Sequence, residues 1–319
     1  MFEKKTDLCF LPTPLHPLKN LSQKYPGHRL YIKRDDLTGL AGGGNKARKL
    51  EYLIFDALNK NCDTIITGGA QQSNHCRQTA AACAVVGLKC HLALGGNEPE
   101  KYEGNLLSSF LFGAKIHFTG EHRKGEDIPG IKSDLERKNK KCCVIPYGGS
   151  NVTGALGFVN AVSELKDQLE EMSLNIDHIF FASSSGGTQA GLILGSELFN
   201  LKSELMPVNI DKEDQEGLTL EENILNILNN GADLLNIKKE FSAADVKLIR
   251  GYDSPGYGVV TGNESSAIKQ IAESEGILLD PVYTGRAFYA MLDHLEKKKL
   301  KTNSNILFLH TGGLPVYRF

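Results

Sequence analysis

Along most of the chain, short apolar runs alternate with longer stretches in which apolar residues recur every third or fourth position. The first pattern suits a buried strand and the second an amphipathic helix. RLYIKRDD reads as a strand and KARKLEYLIFDALNKN as a helix, followed by the strand DTIITGGA and the helix SNHCRQTAAACAVVG. LKCHLALGG, CCVIPYGGS, HIFFASS and NILFLHTGG continue the strands. KYEGNLLSSFLFG, TGALGFVNAVSELKDQLEEM, TQAGLILGSELFN, ESSAIKQIAESEGI and TGRAFYAMLDHLEKKKL continue the helices. Such alternation predicts an α/β fold with parallel sheets. No repeat or low-complexity segment interrupts it.

The strand-to-helix junctions share one device, glycines mixed with small polar residues: TGGAQQSN (67–74), PYGGSNVTG (146–154) and ASSSGGTQAG (182–191). In open α/β sheets ligands bind where strand ends converge. Several such turns in one chain imply a single ligand held from several sides. SSSGGTQAG (183–191) leads straight into a helix, so its free N–H groups and the helix dipole suit a phosphate, although a tight structural turn has the same composition. It is not a Walker loop, since the chain has no Gly-Lys dipeptide, and GYGVVTG (256–262) misses the dinucleotide fingerprint by one place.

Composition narrows the class. The 319 residues are 41% hydrophobic and 23% charged, with a net charge of −2, which is ordinary for a globular protein and argues against nucleic acid or an anionic membrane as the main partner. The start, MFEKKTDLCFLPTPL, lacks the apolar core of a secretory signal. The longest apolar runs, such as AAACAVVG, fall short of the roughly 18 residues of a membrane span. A soluble, cytoplasmic protein is expected. Seven cysteines (9, 62, 76, 83, 90, 142, 143) with no CxxC read, in that compartment, as small buried hydrophobes rather than disulfides or ligands. No spaced His/Cys cluster suggests a metal.

GGGNKARKLEY (42–52) places Lys46 at the start of a helix, where the positive end of the dipole repels an ammonium. Either an anion meets Lys46, or its amine is meant to be neutral. A neutral lysine amine is what condensation with a carbonyl requires. Paired with a phosphate turn, that chemistry points to pyridoxal 5'-phosphate, and Lys49, one turn on, lies on the same face. In GGAQQSNHCRQ (68–78), Ser73 or Asn74 caps the next helix, and the same N-terminus could take a substrate carboxylate. His75 reads as an exposed or hydrogen-bonded first-turn residue, or a catalytic one. DPVYTGRA sets Tyr283 and Thr284 before a helix, and HTGGLP puts Thr311 beside glycines; a tyrosine there packs, stacks on a ring or moves a proton.

GGGNKARKLEYL, TGGAQQSNHCRQTAAACA, SSGGTQAG, DPVYTGRA and HTGGLP, in this order and spanning nearly the whole chain, resemble the 1-aminocyclopropane-1-carboxylate deaminase/D-cysteine desulfhydrase family of tryptophan-synthase-β-like (fold type II) pyridoxal-phosphate enzymes. The resemblance implies two α/β domains with parallel-rich twisted sheets. The larger would comprise 1–48 and 155–319 and the smaller, inserted one 49–154, with the active site in the cleft between them. It implies that Lys46 holds the cofactor and moves the Cα proton. Ser185, Gly186, Gly187 and Thr188 would bind the phosphate with Lys49 assisting, Asn74 the ring hydroxyl, and Thr311 would meet the pyridine nitrogen. Ser73, Asn74 and His75 would receive the substrate carboxylate. Ser73 and the two tyrosines, Tyr257 and Tyr283, would be catalytic, with Tyr257 and Thr284 also facing the substrate. A homodimer acting on a small amino acid is implied as well.

The deaminase pattern has a glutamate after the PVY tyrosine and a leucine where the last strand meets its glycines; this chain has Thr284 and Thr311. A hydroxyl supports a protonated pyridine nitrogen much less than a carboxylate does. The weaker electron sink suits β-elimination of a good leaving group. The expectation is therefore cleavage of D-cysteine to pyruvate, ammonia and hydrogen sulfide. Deamination of 1-aminocyclopropane-1-carboxylate, another β-elimination such as that of cysteate, and non-catalytic binding of the cofactor are the alternatives.

Overall fold

In the computed structural model, which describes residues 4–211, 217–253, 256 and 258–314, the strands sort into two sheets. The chain opens with β1 (Leu15–Pro17), α1 (Lys19–Lys24), β2 (His28–Arg34) and α2 (Asn45–Asn59). It continues through β3 (Thr64–Ala70), α3 (Asn74–Val86), β4 (Lys89–Gly95), α4 (Gly104–Leu111), β5 (Lys115–Phe118), α5 (Ile128–Glu136) and β6 (Cys142–Val144). Next come α6 (Val152–Glu171), β7 (His178–Ser183), α7 (Gly187–Phe199) and β8 (Glu204–Asn209). The last elements are α8 (Leu220–Leu235), α9 (Gly262–Glu275), α10 (Thr284–Glu296) and β9 (Ser304–His310).

One sheet runs β1-β2-β9-β7-β8, with only β1 antiparallel to its neighbour; the other runs β5-β4-β3-β6 and is wholly parallel. Parallel strands need both faces covered. Accordingly β3 and β4 are buried almost throughout, their polar Thr64, Thr67 and His91 included. Leu50, Leu53, Ile54, Cys76 and Ala80 from α2 and α3 pack on one face of the smaller sheet, and Ile128 from α5 lies on the other. The larger sheet is covered by Phe288, Met291 and Ile271 on one side and by Phe158, Val162 and Leu192 on the other.

Two helical glycines bring α2, α6 and α7 together. A Cβ on Gly157 would lie 2.3 Å from the Arg48 carbonyl oxygen, and one on Gly191 would lie 2.4 Å from that of Ala155. Only glycine permits this backbone approach. The same region holds a buried ion cluster. The Arg48 guanidinium, 1% exposed, donates to both Asp35 carboxylate oxygens at 2.9 Å and to both Glu164 oxygens at 2.9 Å. The Lys33 ammonium also contacts Glu164. Burial would raise the Glu164 carboxyl, but the hydrogen bonds and charge of Arg48, then Lys33, hold it at about 2. The first turns of α2 are thereby locked to the segment after β2 and to α6.

The cysteine expectation needs correcting. Cys62 and Cys143, separated by 81 positions, form a disulfide, because the parallel pairing of β3 with β6 sets Cys143 opposite Ile65, close to the start of β3. Cys76, Cys83 and Cys90 are buried as expected, while Cys9 and Cys142 are partly exposed. Among the described residues, no helix is long and apolar enough to cross a membrane, and no group of three or more His, Cys, Asp and Glu side chains is placed to hold a metal ion.

Candidate active site

The turns after β3, β6, β7 and β9 converge on one cavity, and the turn ahead of α2 closes it. That last turn is pinned from several directions. Thr38 Oγ1 accepts from the Gly44 N–H at 2.8 Å and donates to the Gly44 carbonyl at 3.0 Å. The Asn45 N–H donates to the Thr311 carbonyl at 2.9 Å, and Asn45 Nδ2 to Thr188 Oγ1 at 3.0 Å. Gly43 has φ +76°, and a Cβ there would fall 1.8 Å from the Asp36 carbonyl oxygen, so no side chain fits. Lys46 is thus delivered to the cavity wall at the first turn of α2.

Burial, partly offset by a hydrogen bond with Lys49, lowers the Lys46 amine to about 8. Lys49 is pushed well below its usual value by burial, and then by the charge of Lys46 and the hydrogen bond with it. Two amines share one desolvated region, which disfavours their both being charged. Lys49 Nζ donates to the Gly148 carbonyl at 3.2 Å and to Ser150 Oγ at 3.3 Å. Ser150 Oγ in turn donates to Ser185 Oγ at 2.8 Å and accepts the Gly187 N–H at 3.2 Å. A Cβ on Gly187 would come within 2.8 Å of Ser150 Oγ and 3.0 Å of Lys49 Nζ. Asn223 Nδ2 from α8 fixes the turn through the Ser185 carbonyl at 3.1 Å. A helix N-terminus, an amine and two hydroxyls around one small volume form a cradle that fits a phosphate.

On the opposite wall, Ser73 caps α3, its Oγ accepting the Cys76 N–H at 3.2 Å, so its own hydrogen is left to donate. Asn74 Oδ1 accepts from Arg77 Nη1 and from Asn105 Nδ2, each at 3.0 Å. His75 is buried rather than exposed, because α3 packs it against β3, and its Nε2 lies 2.9 Å from Thr67 Oγ1. Thr67 donates its own hydrogen to the Ile145 carbonyl at 2.8 Å. The ring must therefore carry its hydrogen on Nε2, leaving Nδ1 as an acceptor with no protein partner among the described residues. Burial, then the charges of Lys46 and Lys49, push this histidine well below its ordinary value, so it is neutral.

Of the residues expected from the sequence, Lys46, Ser73, Asn74, His75, Ser185, Gly186, Thr188, Tyr283 and Thr311 line this cavity, and Lys49 and Gly187 stand directly behind it. Thr284 does not. It is fully buried, and its Oγ1 lies 2.9 Å from Asp280 Oδ2 and 2.8 Å from the Asp280 N–H. Asp280 also takes the N–H groups of Val282, Tyr283 and Thr284, so the threonine serves a turn rather than the cavity. Tyr257 lies outside the described residues. Tyr147, Gly148 and Ser150 complete the site without having been singled out. Their signal was the glycine-rich PYGGSN junction, whose side chains only the fold could aim.

Comparison with known proteins agrees with this geometry. Residues 7–312 match the family model described as pyridoxal-phosphate dependent enzyme. A D-cysteine desulfhydrase of Klebsiella pneumoniae (strain 342) is 39% identical over 317 residues, covering 98% of this chain and 94% of that protein. The crystal structure of an ACC deaminase homologue superposes with a TM-score of 0.88 at 38% identity, over 98% of this chain and 92% of that one. A hydrogen sulfide-producing enzyme of Fusobacterium nucleatum, 16% identical, superposes with a TM-score of 0.69 over 96% of this chain and 94% of its own, which shows the shared fold alone.

Proposed function

The chain belongs to the family of pyridoxal-phosphate-dependent enzymes, and on that premise we propose that it is a carbon–sulfur lyase acting on D-cysteine. D-Cysteine and water would give pyruvate, ammonia and hydrogen sulfide, in keeping with the Klebsiella relative's name, D-cysteine desulfhydrase. When bound, pyridoxal phosphate supplies the electron sink that makes the Cα–H of an amino acid acidic.

Lys49, Ser150, Ser185 and the N–H groups of Gly186, Gly187 and Thr188 hold the phosphate in this reading. Asn74 would donate to the ring hydroxyl oxygen, and Thr311 would meet the ring nitrogen. Lys46, with its amine lowered to about 8, is in useful part neutral near physiological pH. It can therefore anchor the cofactor through its amine and then take the Cα proton. Ser73, with its hydrogen free, and the first N–H groups of α3 receive the substrate carboxylate and so choose which face of Cα meets Lys46. Neutral His75 offers Nδ1 as an acceptor nearby. Tyr283, which lines the cavity, would lie near the pyridine ring, and Tyr257 would be, by resemblance, the second active-site tyrosine.

The observation that carries the choice of reaction is the composition of the cavity wall. Among the described residues it holds no carboxylate. A ring nitrogen met by the Thr311 hydroxyl would be weakly supported as a cation, which would favour loss of a good leaving group over opening of a cyclopropane. The test is a substrate screen reading pyruvate and 2-oxobutyrate. Pyruvate with sulfide from D-cysteine supports the proposal. Rapid 2-oxobutyrate from 1-aminocyclopropane-1-carboxylate assigns the deaminase reaction instead, and absence of turnover with bound cofactor assigns a binding protein.

The two sheets support a division into a larger unit (1–48, 155–319) and a smaller one (49–154), with the cavity in the cleft between them. A homodimer in the cytoplasm completes the proposal. Light scattering on the purified protein and a thiol count on protein taken directly from cells test those two points, since an intact Cys62–Cys143 bond would be unusual in a reducing compartment.

A further inference from the structure

We propose that Arg77, acting together with Asn105, is a positioning residue that sets the orientation of the Asn74 amide and thereby favours the ionised form of the cofactor's ring hydroxyl. The inference rests on the assignment of Asn74 to the cofactor made above. Arg77 lies one turn after Asn74 on α3 and is 1% exposed. Its Nη1 donates to Asn74 Oδ1 at 3.0 Å and to Asn105 Oδ1 at 2.6 Å. Asn105, at the start of α4, donates through Nδ2 to the same Asn74 oxygen at 3.0 Å and to the Gln72 carbonyl at 2.6 Å. Nη2 reaches the Gly43 carbonyl at 3.3 Å, and Gln78 donates to the same carbonyl.

Two donors on one amide oxygen remove the ambiguity of an asparagine. A flipped Asn74 would set its own NH2 against a guanidinium and against a second NH2. Asn74 Nδ2 is therefore the atom left for the cavity, and it has no protein partner among the described residues. Arg77 itself has no carboxylate within ion-pair distance among the described residues, and its Nε is unpartnered. A buried cation whose hydrogen bonds go only to neutral oxygens, with the Asp280 charge acting on it from beyond ion-pair distance, is costly for stability, so its presence behind the cavity asks for a role. An N–H donor backed by a guanidinium stabilises an oxyanion better than a neutral hydroxyl. The Gly43 contact adds a second consequence, because the same guanidinium ties the turn carrying Lys46 to the wall carrying Asn74.

The experiment uses the cofactor-loaded protein and follows the pH dependence of the cofactor's absorption spectrum, with cofactor retention on dialysis as a second reading. Arg77→Met and Asn105→Ala should each move the spectral midpoint up by about one pH unit, a tenfold change in the ionisation equilibrium. Arg77→Lys, which keeps the charge but not the fork, should move it less. Asn74→Ala is the reference. If the midpoint moves in Asn74→Ala but stays in folded Arg77→Met and Asn105→Ala, the positioning role is overturned while the assignment of Asn74 stands. If Asn74→Ala leaves the midpoint unchanged, both fall. Asn105→Ala carries the test by itself if Arg77→Met does not fold, as judged by circular dichroism.

Discussion

Lys49 Nζ lies 3.3 Å from the Ser150 hydroxyl, and that hydroxyl also takes the Gly187 N–H at 3.2 Å. An amine on α2, a hydroxyl from the turn after β6 and the N-terminus of α7 thus surround one point. Gly187→Val should weaken retention of pyridoxal phosphate by about tenfold or more, because its Cβ would crowd both Ser150 and Lys49. Ser150→Ala should weaken it less, by roughly the worth of one hydrogen bond, 0.5–1.5 kcal/mol. Equilibrium dialysis checks both, and unchanged affinity in folded Gly187→Val would place the phosphate elsewhere.

Lys46 should carry the cofactor. Purified protein is expected to be yellow, and borohydride should fix the cofactor covalently to Lys46, as peptide mass spectrometry will show. Trapping on Lys49 or Lys33 would sink the assignment.

The depressed lysines make the cofactor-free protein pH-dependent. Between about 8 and the ordinary 10.5, the unfolded chain holds a proton on Lys46 that the folded one has lost. Stability therefore rises with pH across that window, and below it the cost of a buried charge is fully present. Lys49, shifted in the same direction, adds to the slope. Lys46→Met should be more stable than the parent apoprotein at pH 7, with the gap closing toward pH 10.5. Urea unfolding at the two pH values measures it; a gap that does not change with pH refutes the account.

Glu164 has the opposite sign. Held at about 2 against an ordinary 4.5, its contribution is complete above pH 4.5 and disappears as pH falls through 2. Glu164→Gln leaves Arg48 and Lys33 short of a counter-charge and should cost about 3 kcal/mol at pH 7. Denaturant unfolding should show the difference from the parent shrinking between pH 4.5 and 2.

Thr284 offers a test of the reaction choice. D-Cysteine should yield sulfide and pyruvate, L-cysteine should react poorly, and the cyclopropane substrate should give little 2-oxobutyrate. Thr284→Glu is not expected to convert the enzyme, because the new carboxylate would be buried against Asp280, whose own carboxyl burial already pushes up. Loss of thermal stability with no gain of deaminase activity is the expected result. A stable Thr284→Glu protein that opens the cyclopropane would show that position 284 does face the substrate.

By itself the sequence determined what depends on neighbours along the chain. Apolar periodicity was enough to locate β2, β3, β4, β6, β7 and β9 and the helices α2, α3, α4, α6, α7, α9 and α10, whereas β1, α1 and α5 went unread. Glycine turns ahead of α3 and α7 marked the ligand side, because a βα junction is a local structure. Lys46 stood out because a lysine at a helix N-terminus is locally unfavourable. β5 and β8 were not foreseen: KIHF is very short, and ELMPVN carries Pro207 on what proves to be an edge strand. α8 was missed too, although TLEE carries a capping box.

Tertiary structure decided everything that depends on residues far apart in sequence. It joined Cys62 to Cys143 across 81 positions, brought Ser150 to Lys49, set Arg77 and Asn105 on one oxygen of Asn74, and turned Thr284 away from the cavity toward Asp280. Side-chain direction at a turn is set by the backbone geometry and by the partner that arrives from another strand or helix, and neither is written in the local pattern of residues.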